Sequence, residues 1–402
     1  MSKNTGAEKR PVELDDLYHF RLVSDPQVSP DGTVAAYVLT RLRKGKDDYA
    51  SNIWLVPVDG SLPPRRFTGS DARDTSPRWS PSGMEMAFVS TRSGKAQIWV
   101  IPTDGGEARR LTRMEYGVGE LEWSHDGEWI AFTAKVSGEA IEGSRPPDAE
   151  DKPNDKVDAE NREPGSGGEE GLAQPGIVHW EDEGHEGHEE GESKKVEKPR
   201  TRVIDRLHYK ADGVGFLEQR SHIFVVRASG GKPIQLTAGE WDASAPRWSP
   251  NDLRLAYLAN KEEDADRRSV LDVFVALIHG DGKEQETTQV TGHDLSVRGM
   301  GWLPGGDGVA LFAHRRTDEA AYGSNAQVWT VTLDGTARCL TQTWDKSASA
   351  ELNSDLRSGV GPLQPRFSLD GSLIYFMGMN GGTVQLFSVP AGGGEIQEVI
   401  GG

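Results

Sequence analysis

Hydrophobic positions along this chain fall in short runs that recur in a fixed order. In the stretch 74–112, Asp74-Thr75-Ser76-Pro77-Arg78-Trp79-Ser80-Pro81-Ser82-Gly83 comes first, followed by the apolar run Met86-Ala87-Phe88-Val89. Gln97-Ile98-Trp99-Val100-Ile101 comes next, then a turn at Asp104-Gly105-Gly106, and Arg110-Leu111-Thr112 closes the unit. Short runs rich in β-branched and aromatic residues, bounded by Pro, Ser, Asp or Gly, read as strands. The Ser-Pro-Ser-Gly and Asp-Gly-Gly segments supply the backbone angles that tight hairpins need. The pattern predicts a four-strand unit.

The unit occurs six times. The first copy runs from Pro26-Gln27-Val28-Ser29-Pro30-Asp31-Gly32 to Arg66-Phe67-Thr68, and the second is the one above. The third opens at Leu121-Glu122-Trp123-Ser124 and, after an interruption, closes at Gln235-Leu236-Thr237. The fourth spans Pro246-Arg247-Trp248 to Gln289-Val290-Thr291, the fifth Gly301-Trp302 to Cys339-Leu340-Thr341, and the sixth Pro365-Arg366-Phe367 to Glu398-Val399-Ile400. A repeat of about 40–55 residues matches one four-stranded propeller blade. The fold class is therefore all-β, a β-propeller of four-stranded blades. The second and third runs of each copy are almost continuously apolar, which predicts blades stacked with both faces buried. No apolar spacing of 3.6 residues persists long enough for a helical solenoid. Residues 1–23 read as a tail with a short docking helix, carried by Leu14, Leu17, Tyr18 and Leu22, and residues 24–402 as the propeller.

The interruption, 137–200, is of a different kind. It holds 19 Asp and Glu against 8 Lys and Arg, eleven of the chain's net −18 charge. So little apolar surface cannot offset the entropy of ordering, and the segment reads as a disordered acidic insertion in the third blade. The acidic balance argues against nucleic acid as a partner, because phosphate contacts need clustered Lys and Arg. The lone cysteine, Cys339, excludes an internal disulfide and fits a reducing compartment. With no run of about 18 apolar residues, no membrane partner is expected and the chain reads as cytoplasmic.

Candidate chemistry is sparse. A serine hydrolase elbow would show Gly-x-Ser-x-Gly, and no such pentapeptide occurs in the sequence. Ser80 and Ser249, in the repeated Trp-Ser-Pro, read as turn hydrogen bonders. The pairs Gly45-Lys46, Gly94-Lys95, Gly231-Lys232 and Gly282-Lys283 lack phosphate-loop spacing and read as turns. His179, His185 and His188 lie among acidic residues of the insertion, which offers neither preorganised ligands nor support for them, so weak adventitious metal binding is the most it suggests. Cys339 and the tryptophans at repeat phases (Trp54, Trp79, Trp99, Trp123, Trp248, Trp302, Trp329) read as packing. No catalytic, cofactor-binding or metal residue is assigned.

The segments Leu14-Asp15-Asp16-Leu17 and Val23-Ser24-Asp25-Pro26-Gln27-Val28-Ser29-Pro30-Asp31-Gly32 resemble the start of prolyl-oligopeptidase-type serine peptidases of the acylaminoacyl-peptidase-like branch. Pro77-Arg78-Trp79-Ser80-Pro81, Phe88-Val89-Ser90-Thr91-Arg92, Asp104–Thr112 and Leu207-His208-Tyr209-Lys210-Ala211-Asp212-Gly213-Val214-Gly215-Phe216 share that resemblance. The Ser-Pro-Asp-Gly repeats are also similar to those of TolB-like propellers. The resemblance implies a seven-bladed propeller ahead of an α/β-hydrolase domain with a Ser, Asp and His triad, the propeller admitting only peptides. It thus implies peptide substrates passing through the propeller channel, and hydrolysis that releases N-acylated residues or dipeptides. The sequence stops at Gly402 after a sixth repeat, so no catalytic position is carried over, and this chain alone is expected to be inactive. The other reading is a stand-alone six-bladed module for protein or ligand binding. A first blade paired to the sixth favours the module; an open ring, with exposed edges and possible homo-oligomerisation, favours the peptidase propeller.

Overall fold

The computed structural model describes residues 10–46, 48–137, 204, 206–211, 214–263, 265–268, 270–278, 280–282, 284–315, 324–349 and 364–401. Of the acidic insertion at 137–200, only Ser137 is among them. The chain divides into two compact units, Met1–Arg145 with Leu207–Gly402, and Pro146–Arg206, and all six blades belong to the first.

Each repeat folds into one four-stranded antiparallel sheet whose strands pair in chain order, and among the described residues no strand is exchanged between the chain's two ends. The blades are, in order, Leu22–Val28, Val34–Arg43, Asp48–Pro57 and Arg65–Arg66; Asp74–Trp79, Glu85–Ser90, Gln97–Pro102 and Arg109–Arg110; and Val118–Trp123, Trp129–Val136, Arg220–Arg227 and Ile234–Gln235. Blades four to six are Ala243–Trp248, Arg254–Ala259, Asp272–Ile278 and Glu284–Gln289; Leu295–Trp302, Gly308–Arg315, Gln327–Thr332 and Ala337–Cys339; and Arg366–Phe367, Leu373–Asn380, Thr383–Pro390 and Gln397–Ile400. Ahead of them, Leu14–His19 forms a 3-10 helix with a capping box between Glu13 and Asp16, and Leu14 is exposed.

The repeated residues have repeated work. In every blade but the fifth, the serine after the first strand accepts the N–H that opens the second strand: Val34 on Ser29 (3.0 Å), Glu85 on Ser80 (3.0 Å), Trp129 on Ser124 (2.9 Å), Arg254 on Ser249 (3.0 Å) and Leu373 on Ser368 (2.9 Å). The threonine that ends a repeat accepts a third-strand N–H in the same way, as Ile53 on Thr68 (3.0 Å), Ile98 on Thr112 (2.9 Å), Ile223 on Thr237 (2.9 Å), Val273 on Thr291 (3.0 Å) and Val328 on Thr341 (3.0 Å). Each second strand carries one aromatic at a fixed phase, and its cross-strand partner is usually aromatic too. Phe132 stacks on Phe224 at 5.6 Å, Tyr257 on Phe274 at 5.6 Å and Phe376 on Phe387 at 5.9 Å. Such pairs are worth about 0.5–1.5 kcal/mol each beyond the area they bury.

Five apolar clusters join the blades in succession, one at each of the interfaces from one–two to five–six. The first turns of neighbouring blades nest as well: Gly83 backs onto Pro30, Gly127 onto Pro81, Gly306 onto Pro250 and Gly371 onto Pro304, each glycine in the left-handed region. Between blades three and four Asp252 substitutes, accepting the N–H groups of His125 and Asp126, both at 2.8 Å.

This stacking ends at both termini of the series. Gly32 of blade one has nothing against it, and Leu369, in the proline position of blade six, is fully exposed. No apolar cluster joins blade six to blade one among the described residues. The second strands record the same boundary. Those of blades two to five are buried almost throughout, whereas Val34–Arg43 and Leu373–Asn380 bury mainly alternate residues. The expectation of two covered faces therefore holds for the central blades and fails at one and six, which each have a neighbour on one side.

Candidate functional site: the charged axis

The first strands of blades one to five touch one another in succession, so they line the axis around which the blades are arranged. Blades one to five all carry a bulge in this strand, at Ser24/Gln27, Thr75/Arg78, Val118/Leu121, Ser244/Arg247 and Val297/Gly299. At three of these bulges a non-glycine residue takes a positive φ just before a proline: Asp25 (48°), Ser76 (53°) and Ala245 (51°). A bulge bends its strand and re-aims the side chains that follow. Those side chains are Gln27, Arg78 and Arg247, each one residue before the position of the packed aromatic. The corresponding residues of blades three, five and six are Glu122, Gly301 and Arg366.

Charges converge here. Arg78 Nη1 donates to both oxygens of Asp25 (2.8 and 3.0 Å) and to its own Pro77 carbonyl (2.7 Å). Arg247 repeats the geometry two blades on. Its Nη1 meets Glu122 Oε2 (3.2 Å) and the Pro246 carbonyl (2.6 Å), and its Nη2 lies 3.7 Å from Glu120. The amide oxygen of Gln364, from blade six, accepts from Arg247 Nε at 2.8 Å. Burial pushes the Glu122 carboxyl above its ordinary range, with Arg247 and Arg78 pulling the other way. Arg366 differs from the other two arginines: it is exposed, and no acceptor or carboxylate pairs with it among the described residues. Its guanidinium is held below the ordinary arginine value, first by desolvation and then by Arg247.

The aromatic next to each axial residue locks its blade to the one before. Trp79 Nε1 donates to the Gln27 carbonyl (3.0 Å), Trp123 to that of Arg78 (3.1 Å) and Trp302 to that of Arg247 (2.9 Å). Trp248, in the same phase, has a buried indole N–H without a partner.

Two clefts lie away from the axis. One of about 790 Å³ sits between blades one and two beside the first turns, lined by Leu55, Pro57, Leu62, Pro63, Trp79 and Pro102. Its lining is mostly apolar, and the Ser29 hydroxyl there is engaged with Asp31 (2.6 Å) in the first turn of blade one. The other, of about 580 Å³, lies at blades three and four, where Lys261 stands 4.4 Å from the Trp241 ring centroid and 4.0 Å from that of Phe274.

Ser80 and Ser249 make the turn bonds described above. Gly45, Gly94, Gly231 and Gly282 all have positive φ, as turn glycines do. Cys339 is half-buried, and burial pushes its thiol up, away from reactivity. His179, His185 and His188 lie outside the described residues. Lys210–Ala211 and Gly215–Phe216, within the Leu207–Phe216 segment, pair as a small hairpin with Tyr209 and Phe216 in ring contact at 6.1 Å. Sequence reasoning grouped Arg78, Arg247 and Arg366 with the scaffold because they recur. The available signal was variation at that phase: the aromatic persists while its predecessor changes among Gln, Arg, Glu and Gly.

Residues 19–149 match the family model of the TolB beta propeller domain, PD40. The fold is a six-bladed β-propeller, similar over those residues to the TolB type. It is 32% identical over 272 residues to the uncharacterized peptidase YuxL of Bacillus subtilis (strain 168), a match covering 66% of this chain and 34% of that protein. Among solved structures, the Pyrococcus horikoshii acylaminoacyl peptidase aligns with a TM-score of 0.60 at 15% identity, over 96% of this chain and 47% of that one. The β-propeller domain of the trilobed protease from Pyrococcus furiosus, described as having an open velcro topology, aligns at 0.53 with 12% identity, over 95% and 86%. At such identities these structural likenesses speak to fold. The propeller spans about a third of its curated relative's length and about half of the acylaminoacyl peptidase's. Among the described residues, no helix is long and apolar enough to cross a membrane.

Proposed function

We propose that this propeller is the substrate-admitting part of a serine peptidase of the prolyl-oligopeptidase family, acylaminoacyl-peptidase-like branch. Short peptides would pass along the charged axis to a hydrolase domain. The observation that carries this reading is the 32% identity to a curated peptidase over 272 residues. The axis supports it physically. An extended chain presents backbone dipoles and charged ends that Asp25, Arg78, Glu122, Arg247 and Arg366 can meet. The uncovered faces of blades one and six favour this reading over a self-contained six-bladed module, whose end blades would cover each other. The triad would come from outside these residues, whose sequence contains no Gly-x-Ser-x-Gly.

The test is hydrolysis by the native protein, recovered with an antibody raised against this chain. It should cleave a short N-acetylated peptide and leave the same sequence uncut when it sits inside a folded protein; residues 1–402 alone should cleave neither. Absence of cleavage by the native protein, or equal cleavage of the folded substrate, would overturn the reading.

A further inference from the structure

The axial arginines follow a pairing rule, and one of them breaks it. Arg78 of blade two is neutralised by Asp25 of blade one, and Arg247 of blade four by Glu120 and Glu122 of blade three. Each even-numbered blade takes its acid from the odd blade before it. Those acids stand one or three residues ahead of the aromatic phase. In blade five both places are glycine, Gly299 and Gly301, so Arg366 of blade six receives no carboxylate. Blade six also approaches closely at Gly301, where a Cβ would stand 3.1 Å from the Pro365 carbonyl. The result is an exposed guanidinium within electrostatic reach of Arg247, Glu122, Arg78 and Asp25, with no hydrogen-bond partner among the described residues.

We propose that Arg366 is a carboxylate-binding site on the propeller axis, and that it takes the C-terminal carboxylate of a peptide. A planar guanidinium matches a carboxylate with two parallel hydrogen bonds, and charge-assisted bonds of this kind are the strong ones. Glu122 and Asp25, also within electrostatic reach of Arg366, disfavour a second anion, which points to one carboxylate rather than a polyanion. The peptide's identity rests on the proposed peptidase reading; the carboxylate preference rests on the axis alone.

The test is calorimetric titration of the full chain with N-acetyl-trialanine as free acid and as C-terminal amide, and with an amidated acetyl-Ala-Ala-Asp. The free acid should bind about tenfold more tightly than the amide. Arg366→Gln should abolish that difference and Arg366→Lys should keep part of it. Arg366→Gln should leave the melting temperature unchanged, because the side chain makes no hydrogen bond among the described residues. Equal affinity for the free acid and the amidated Asp peptide would extend the site to carboxylates in general; a preference for the free acid assigns it to chain termini. Equal binding of acid and trialanine amide, or a preference that survives in Arg366→Gln, would overturn the proposal. Carboxylate preference together with a native protein that cleaves nothing would overturn the peptidase reading and leave the site standing. Cleavage without the preference would do the reverse.

Discussion

Trp302 and Trp248 provide an internal comparison of how the blades are locked together. Both occupy the aromatic phase of a first strand, both are buried (8% and 3% exposed), and both sit in apolar clusters between blades. They differ in one bond: Trp302 Nε1 donates to the Arg247 carbonyl at 2.9 Å, while Trp248 Nε1 has no partner. Replacing either by Phe removes the same atoms, so the transfer and cavity costs largely cancel between the two variants. Blade six already carries Phe367 at this phase. Trp302→Phe additionally loses a net hydrogen bond of about 0.5–1.5 kcal/mol, whereas Trp248→Phe relieves a buried unpaired donor worth about 1–3 kcal/mol. Trp302→Phe should therefore be the less stable of the two by about 2–4 kcal/mol. In urea, with a slope of about 3 kcal/mol/M, that places its midpoint roughly 1 M below that of Trp248→Phe. Midpoints that coincide, or a lower one for Trp248→Phe, would refute the claim that the indole-to-carbonyl bonds hold successive blades in register.

Three further outcomes follow from the geometry. Arg247→Gln leaves Glu120 and Glu122 without their cation and should cost about 3 kcal/mol near neutral pH. Because the folded Glu122 carboxyl already binds its proton more tightly than the unfolded chain does, stability falls as pH rises from the ordinary glutamate value of 4.5 through the raised one. The variant's deficit should accordingly shrink in acid, read from urea midpoints across that range. Gly308→Ala would drive a Cβ to 2.4 Å from the Val331 carbonyl and 2.9 Å from Thr332 Cα, both backbone of the paired strand, and should cost about 3 kcal/mol in the same assay. Asp370 accepts from Ser368 Oγ (2.6 Å) and the Ser372 N–H (3.0 Å), which lowers its carboxyl to about 2. Its stabilisation is complete above the ordinary value of 3.8 and is lost as pH falls from there through about 2, so Asp370→Asn should flatten that part of the acid unfolding curve.

The blades were legible in the sequence because turn chemistry and apolar runs repeat together. Ser80, Ser249, Thr112 and Thr237 keep their phase because each accepts the same backbone N–H in its own blade. The ends of the series were less legible. Val34-Ala35-Ala36-Tyr37-Val38 is as apolar as Met86-Ala87-Phe88-Val89, yet one lies at an open face and the other between two blades. Composition reports what a strand can bury, and the neighbouring blade decides how much it does. The axis was hidden for a different reason. The bulges rest on positive φ at Asp25, Ser76 and Ala245, residue types that do not announce that conformation, so the alignment of Arg78 with Arg247 emerges only from the folded first strands. The missing partner of Arg366 was written in the sequence as Gly299 and Gly301, but it has meaning only against the acids of blades one and three.

The most direct measurement for the account as a whole is labelling of the native protein, isolated through an antibody to residues 1–402, with a fluorophosphonate probe for activated serines. The account predicts one labelled serine, mapped by peptide mass to a segment outside these residues. A native protein that takes no label, or whose label maps to a serine of the propeller itself, would contradict it.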